Sequence, residues 1–226
     1  MAVKKRWYRN WFIRKFIRIS YMIGRLFGAI RDKRICGVSL ENYAPTLRPG
    51  ESTGSQSTNY GVLDKMFSGS EFTDNDSYID VGCGRGRTLC YLLGKKTPMK
   101  LTGIEYNKDV ADFTKKWAEN FKELNIINDD AFNLDYNDYT VMFMGRPFLP
   151  DTFYKFVSYL EQTLTHPIKL FYWVDQQSGD YLNDRKGWTM LKREKVFFCK
   201  GFFVAPYPQR FSVWVFDPNE AEKSEE

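Results

Sequence analysis

Histidine is nearly absent from this chain of 226 residues. His166, the only one, stands before Pro167 at what reads as a helix-to-strand turn, so it is read as structural, and no metal site is expected. The four cysteines, Cys36, Cys83, Cys90 and Cys199, are far apart and form no Cys-x-x-Cys pair. That spacing excludes a zinc knuckle or a disulfide framework and fits a reducing, cytosolic setting. Long apolar runs are also lacking: in the N-terminal segment the longest stretch without charge is six residues, Ile19 to Gly24. A membrane span needs about 18 to 20, and arginines interrupt the apolar region that a secretory signal requires. Acidic residues are scarce at the N-terminus. Residues 1 to 34 hold eleven Lys or Arg against Asp32 alone, a charge of +10, which leaves −5 on the rest of the chain. The overall +5 therefore belongs to one segment, and no specific nucleic-acid partner is expected for the body.

What is present supports one domain with appendages: 43% of residues are hydrophobic and 17% aromatic, enough for a sizeable core. At 100° per residue, Phe12, Phe16, Ile19, Ile23, Leu26, Phe27 and Ile30 share one side of an N-terminal helix, with Arg14, Arg18 and Arg25 on the other. Such a helix suits an interfacial anchor, with Trp7, Trp11 and Phe12 at the headgroup level and its basic side drawn to anionic lipid. It also suits a helix that packs its apolar side on the domain or on another chain. Arg31 to Gly37 are expected to break it. Residues 38–76 read as a linker or lid, rich in Ser, Thr, Gly and Pro from Pro45 to Asn59, followed by a leading helix from Tyr60 to Phe67.

The motif that organises the chain runs Ser77-Tyr-Ile-Asp-Val-Gly-Cys-Gly-Arg-Gly-Arg-Thr88. It reads as a strand, a turn with alternate glycines at 82, 84 and 86, and a helix start whose free N–H groups face a ligand. Leu101 to Ile104 reads as a second strand ending in Glu105, where a Rossmann-type fold places the carboxylate for ribose hydroxyls. Ile126 to Phe132 reads as a third strand, ending in Asp130-Ala-Phe132. Alternating strands and helices follow: helix 108 to 123, strand 139 to 144, helix 151 to 164, strand 168 to 174 and a short helix near 178 to 185. Val196 to Phe203 and Phe211 to Phe216 are expected to pair as an antiparallel hairpin, and residues 218–226 as an acidic, disordered tail.

With Asp80 before the glycines, 77–132 resembles the class I S-adenosylmethionine-dependent methyltransferases, and most closely small bacterial members of unassigned substrate with an Asp-Val-Gly-Cys-Gly-x-Gly-Arg motif. The resemblance covers roughly 58 to 217. It implies an α/β, Rossmann-like, seven-stranded and mostly parallel sheet with an antiparallel last strand and helices on both faces, here over 77–217, preceded by the basic amphipathic helix of 1–37. It implies S-adenosylmethionine as cofactor: Asp80 organising its methionine end, Gly82, Gly84 and Gly86 lining it, Glu105 holding the ribose, and Asp130, Ala131 and Phe132 bordering the adenine. Thr58 and Tyr60 would be contacts from the lid. Arg146-Pro147-Phe148 stands where amino-group methyltransferases carry Asp or Asn, then Pro, Pro and an aromatic, so base or amide N-methylation is not supported. A guanidinium there suits a phosphate or carboxylate of the acceptor. Asp175, after the fifth strand, is the candidate general base, with a solvated loop aspartate as the alternative reading.

The expected function is methyl transfer to a small-molecule, lipid or glycan acceptor, at the cytoplasmic face of a membrane that residues 1–34 would contact. The competing class is a non-catalytic membrane-associated binding protein that keeps the fold. A nicotinamide-dependent oxidoreductase would need a pyrophosphate-type glycine spacing, which is absent.

Overall fold

The computed structural model describes residues 10–41 and 43–222; Trp7 and the end of the acidic tail lie outside them. The chain opens with α1 (Trp11–Cys36), then β1 (Tyr43–Ala44) and β2 (Ser55–Gln56), which pair with each other. α2 (Tyr60–Met66) leads into β3 (Ser77–Val81), α3 (Arg87–Gly94), β4 (Lys100–Ile104), α4 (Lys108–Ala118) and β5 (Leu124–Ile127). The second half is β6 (Val141–Met144), α5 (Pro150–Thr163), β7 (Ile168–Trp173), β8 (Trp188–Val196), β9 (Phe198–Cys199), β10 (Phe202–Phe203), β11 (Gln209–Phe216) and α6 (Pro218–Glu222).

Seven strands form one sheet in the order β5-β4-β3-β6-β7-β11-β8, parallel from β5 to β7, with β11 antiparallel to both neighbours. Strand order reverses at β3, so a crevice opens beyond its carboxyl end, between the loops of β4 and β6. Side chains alternate across β3: Tyr78 enters a core beneath α2, α3 and α4, while Ile79 and Val81 enter a second core against α5. Both faces are therefore covered, as a parallel sheet requires.

Several boundaries differ from expectation for local reasons. α4 stops at Ala118 because Phe121 N donates to Ala118 O and the Asn120 amide donates to Trp117 O, tightening the last turn. β5 accordingly begins earlier, and Asp129 and Asp130 lie past its end. β11 pairs with Trp188–Val196, whereas Phe198–Cys199 and Phe202–Phe203 form a small ribbon of their own. The start of the tail is ordered, because α6 tucks Ala221 against the second core. Arg31 to Cys36 do not break α1: the helix runs to a left-handed Gly37 cap (φ 81°), whose N–H donates to Lys33 O.

α1 docks through its small residues. Ile17, Ser20, Gly24, Gly28, Asp32 and Cys36 are buried, and a Cβ on Gly24 would stand 3.0 Å from Phe202 Cβ. Phe12, Phe16, Ile19, Ile23, Leu26, Phe27 and Ile30 are all exposed, Phe12 at 74%. Among the described residues, only Phe16 and Phe27 of this side, at its edge, make ring contacts with the domain, to Phe203 and Phe202, so the apolar side is not the docked one. No described helix is long and apolar enough to cross a membrane.

Candidate active site

Five chain segments converge on the crevice beyond β3. Gly82 N and Cys83 N both donate to Ile104 O, so the glycine turn folds back over the end of β4. Gly82 (φ 72°) and Gly84 (φ 55°) are in the left-handed region, and each is crowded: a Cβ would lie 2.6 Å from Pro147 Cβ at the first and 2.5 Å from Ser55 Oγ at the second. The turn is thus gripped between the loop after β6 and the β2 strand of the lid. The cleft they enclose holds about 1040 Å³ of space open to solvent.

Two carboxyl groups stand at its floor. Asp80, one residue short of the end of β3, is 2% exposed, and its partner is the Thr88 hydroxyl. Burial first, and the neighbouring Glu105 second, push its carboxyl well above the usual carboxylate range. Glu105 is half-buried; its Oε2 accepts from Gly84 N at 2.9 Å and its Oε1 from Asn107 N at 2.9 Å. Burial raises its pKa as well, partly offset by those N–H bonds. Each oxygen keeps a free lone pair for a ligand hydroxyl. On the third side, Asp130 Oδ1 caps the short turn at Ala131–Asn133, and its Oδ2 pairs with Arg48 of the lid at 2.6 Å. The Arg48 guanidinium lies 3.7 Å from the centroid of Tyr106, so one stacked ion pair ties the lid to the loops after β4 and β5.

The structure brings together Asp80, Gly82, Gly84, Glu105, Asp130, Ala131, Pro147, Phe148 and Thr58 around this cleft. It places five expected residues elsewhere. Gly86 faces α4, where a Cβ would strike Trp117 at 2.8 Å. Phe132 packs on Phe148, Phe156 and Tyr159 rather than in the cleft. Tyr60 is buried with its hydroxyl on Asp32 Oδ1, 2.7 Å, so it positions α1 instead of a ligand. Asp175 is 0% exposed, with Arg210 Nε at 2.5 Å and Arg193 Nε at 3.5 Å. A carboxylate so committed takes no proton from an acceptor, and the expectation of a base there is corrected. Arg146 lines a neighbouring cleft, described below. His166 bonds Pro167 O and Asn137 O at the opposite end of the sheet, as expected. Arg48 and Tyr106 lie 58 residues apart in the chain and carry no local signal in the sequence.

Residues 79–144 match the family model of a methyltransferase domain, and this stretch contains the strand, glycine turn and both carboxyl groups. That match supports a class I S-adenosylmethionine-dependent methyltransferase domain built around this stretch. Solved structures share the methyltransferase fold at low identity. They include MtNAS in complex with MTA and tNA (15% identity, 91% of this chain and 75% of that one, TM-score 0.53). A second is a protein of echinomycin biosynthesis associated with conversion of a disulfide bond into a thioacetal group (14%, 90% and 96%, TM-score 0.52). A third is the SAM-dependent O-methyltransferase TM0748 of Thermotoga maritima (13%, 70% and 64%, TM-score 0.50). No curated protein matches the sequence.

The cleft fits a cationic cofactor on its own evidence, because Asp80 is a buried carboxyl with no cationic partner among the described residues. A raised carboxyl pKa means that the folded protein holds a proton which the unfolded chain has lost, so the stability of the free protein falls as pH rises above about 4. A cation seated beside Asp80 reverses this by favouring the carboxylate, and its binding must release protons. Calorimetry of S-adenosylmethionine over the pH range above about 4 should therefore give enthalpies that vary with buffer ionisation heat, and affinity should rise with pH until Asp80 ionises unaided. Asp80→Asn should remove the variation; proton uptake in the wild type would contradict the assignment.

Proposed function

We propose that this chain transfers the methyl group of S-adenosylmethionine to a small-molecule, lipid or glycan acceptor at an anionic membrane surface. The observation that carries the catalytic half is the cleft itself: two carboxyl groups at adjacent strand ends flank a turn that has no room for a side chain at Gly82 or Gly84. Asp80 meets the methionine end, Gly82 and Gly84 let the backbone approach the ligand, and Glu105 accepts the ribose hydroxyls. Asp130, held by Arg48, and Ala131 border the adenine. The cofactor supplies an activated methyl group. The protein's task is then to orient, to enclose and to exclude water, and the lid from Pro45 to Thr58 covers the cleft for that purpose. Titration with S-adenosylmethionine tests this half, and absence of binding by the folded chain would overturn it in favour of a binding protein that keeps only the fold.

The membrane half rests on α1. Its docked stripe and its exposed apolar side lie roughly opposite one another at 100° per residue, so the body does not shield Phe12, Ile19, Ile23 or Leu26. Lys15, Lys33 and Arg34 are exposed along the same helix, and Asp32, its one acid, is buried against Arg87. Each exposed cation near an anionic leaflet contributes about 1 kcal/mol. Truncation is a poor test, since Asp32 and Cys36 belong to the core. The triple variant Ile19→Ser, Ile23→Ser, Leu26→Ser changes exposed positions only. Flotation with vesicles containing phosphatidylglycerol should be strong for the wild type and weak for the variant; equal flotation would remove the membrane from this reading.

A further inference from the structure

A second cleft of about 710 Å³ adjoins the first, sharing with it Thr53, Gly54, Gln56, Ser57, Thr58 and Gly145. One wall is the polar lid. The other is apolar, built from Trp173 and Val174 at the end of β7 and from Val204, Ala205 and Pro206 before β11. α1 takes part: Tyr21 reaches in from the helix, its hydroxyl accepting from Gln56 Nε2 at 2.8 Å. Tyr207, 54% exposed, stands at the rim. The exposed side of α1 continues across the Phe27–Phe202 and Phe16–Phe203 ring contacts to Phe198, also exposed. An apolar surface therefore borders this wall of the cleft.

Charge in the lining is one-sided. Arg146 is the only ionic side chain among the lining residues, and no Asp, Glu, Lys or His is present. Its guanidinium has no carboxylate partner among the described residues, in contrast to Arg48, Arg87, Arg193 and Arg210. Its backbone is held in the left-handed region (φ 56°), with Arg146 O accepting from Thr53 Oγ1 at 2.7 Å. Strain of that kind costs about 1–3 kcal/mol at a non-glycine residue and persists where the surroundings impose it. A half-buried, unpaired guanidinium favours an anion and opposes an ammonium group.

We infer that the second cleft is the acceptor site, that the acceptor is an amphiphile with an oxyanionic head drawn from the lipid surface, and that Arg146 positions that head. This rests on the cofactor reading above. The lining offers no carboxylate or imidazole to remove a proton, and Asp175 is committed to arginines, so the attacking oxygen must arrive already deprotonated. The oxyanion attacks the sulfonium methyl: an O–C bond forms, the C–S bond breaks, and its electron pair returns to sulfur, leaving neutral S-adenosylhomocysteine and a methyl ester. No proton is transferred.

The test is calorimetric titration of the full chain, presaturated with S-adenosylhomocysteine, with decanoate, decyl phosphate and decylamine below their micellar concentrations. At least one oxyanion should bind with 1:1 stoichiometry and ten or more times tighter than decylamine, and the better of the two identifies the head as carboxylate or phosphate. Arg146→Gly and Arg146→Asn, both compatible with the positive φ, should abolish the preference while leaving S-adenosylhomocysteine affinity unchanged. Decylamine binding as tightly as both anions, retained preference in the variants, or no probe binding at all would overturn the inference with the cofactor reading intact. Failure of S-adenosylhomocysteine itself to bind would instead overturn the cofactor reading.

Discussion

Asp32→Ala is expected to destabilise the fold by about 3–5 kcal/mol, the range for removing one partner of a buried ion pair. Asp32 is 0% exposed and accepts four hydrogen bonds: from Arg87 Nε at 3.1 Å, Arg87 Nη2 at 2.6 Å, the Tyr60 hydroxyl at 2.7 Å and Leu40 N at 3.0 Å. Its loss leaves a buried guanidinium with Glu41 alone, the Tyr60 phenol with only the Cys90 thiol at 3.5 Å, and the Leu40 amide unsatisfied. Burial, reinforced by Cys90 and Asp32, pushes the Tyr60 phenol up in pKa, so it remains a donor throughout the accessible pH range. Arg87 is also the first residue of α3, directly after the glycine turn, so the damage should extend to the cofactor cleft. Urea unfolding followed by tryptophan fluorescence measures the loss. A change below 1 kcal/mol would mean that α1 is not part of the cooperative unit, and that its docking contributes little to the glycine turn.

The same contacts explain which parts of the molecule were legible in the sequence. The convergence of Asp80, Gly82, Gly84 and Glu105 on one cleft was legible because they belong to strand ends and the turns that follow them, where a few adjacent residues determine the backbone; Gly86, in the same motif, instead faces α4. The sheet was legible for a similar reason, because alternating strand and helix periods leave few topologies for parallel strands. Tyr60, Phe132 and Asp175 were misassigned because the role of each is set by a partner far along the chain: Asp32 for the first, Phe148 and Phe156 for the second, Arg193 and Arg210 for the third. α1 shows a subtler limit. Its apolar period was read correctly, yet the docked side is the stripe Ser20, Gly24 and Gly28, whose small residues barely register in a hydrophobicity pattern. What they offer is close approach, which Phe202 and Arg87 occupy.

Loss of the Glu105 carboxylate should weaken S-adenosylhomocysteine binding about a hundredfold, or about 2.7 kcal/mol. The side chain would accept the ribose hydroxyls as a charged acceptor, and hydrogen bonds to charged groups contribute roughly 1.5–3 kcal/mol. It also fixes the loop from both sides, through Gly84 N and Asn107 N, so Glu105→Ala removes the acceptor and loosens the turn that faces the ligand. The free protein should respond quite differently. Burial raises the Glu105 pKa, and the negative charge of Glu105 adds to the burial that raises that of Asp80, so an ionised Glu105 beside Asp80 destabilises the unliganded fold. Removing one relieves that repulsion and offsets the two lost N–H contacts, leaving the melting temperature of the free protein within a few degrees of the wild type. The ligand-induced rise in melting temperature should shrink in parallel with affinity. Glu105→Gln separates the contributions, because its amide keeps one acceptor oxygen but turns an NH₂ group toward either Gly84 N or Asn107 N. It should fall between wild type and alanine. A threefold or smaller loss in Glu105→Ala would move the ribose away from β4 and assign the hydroxyl contacts to the Arg48–Asp130 side of the cleft.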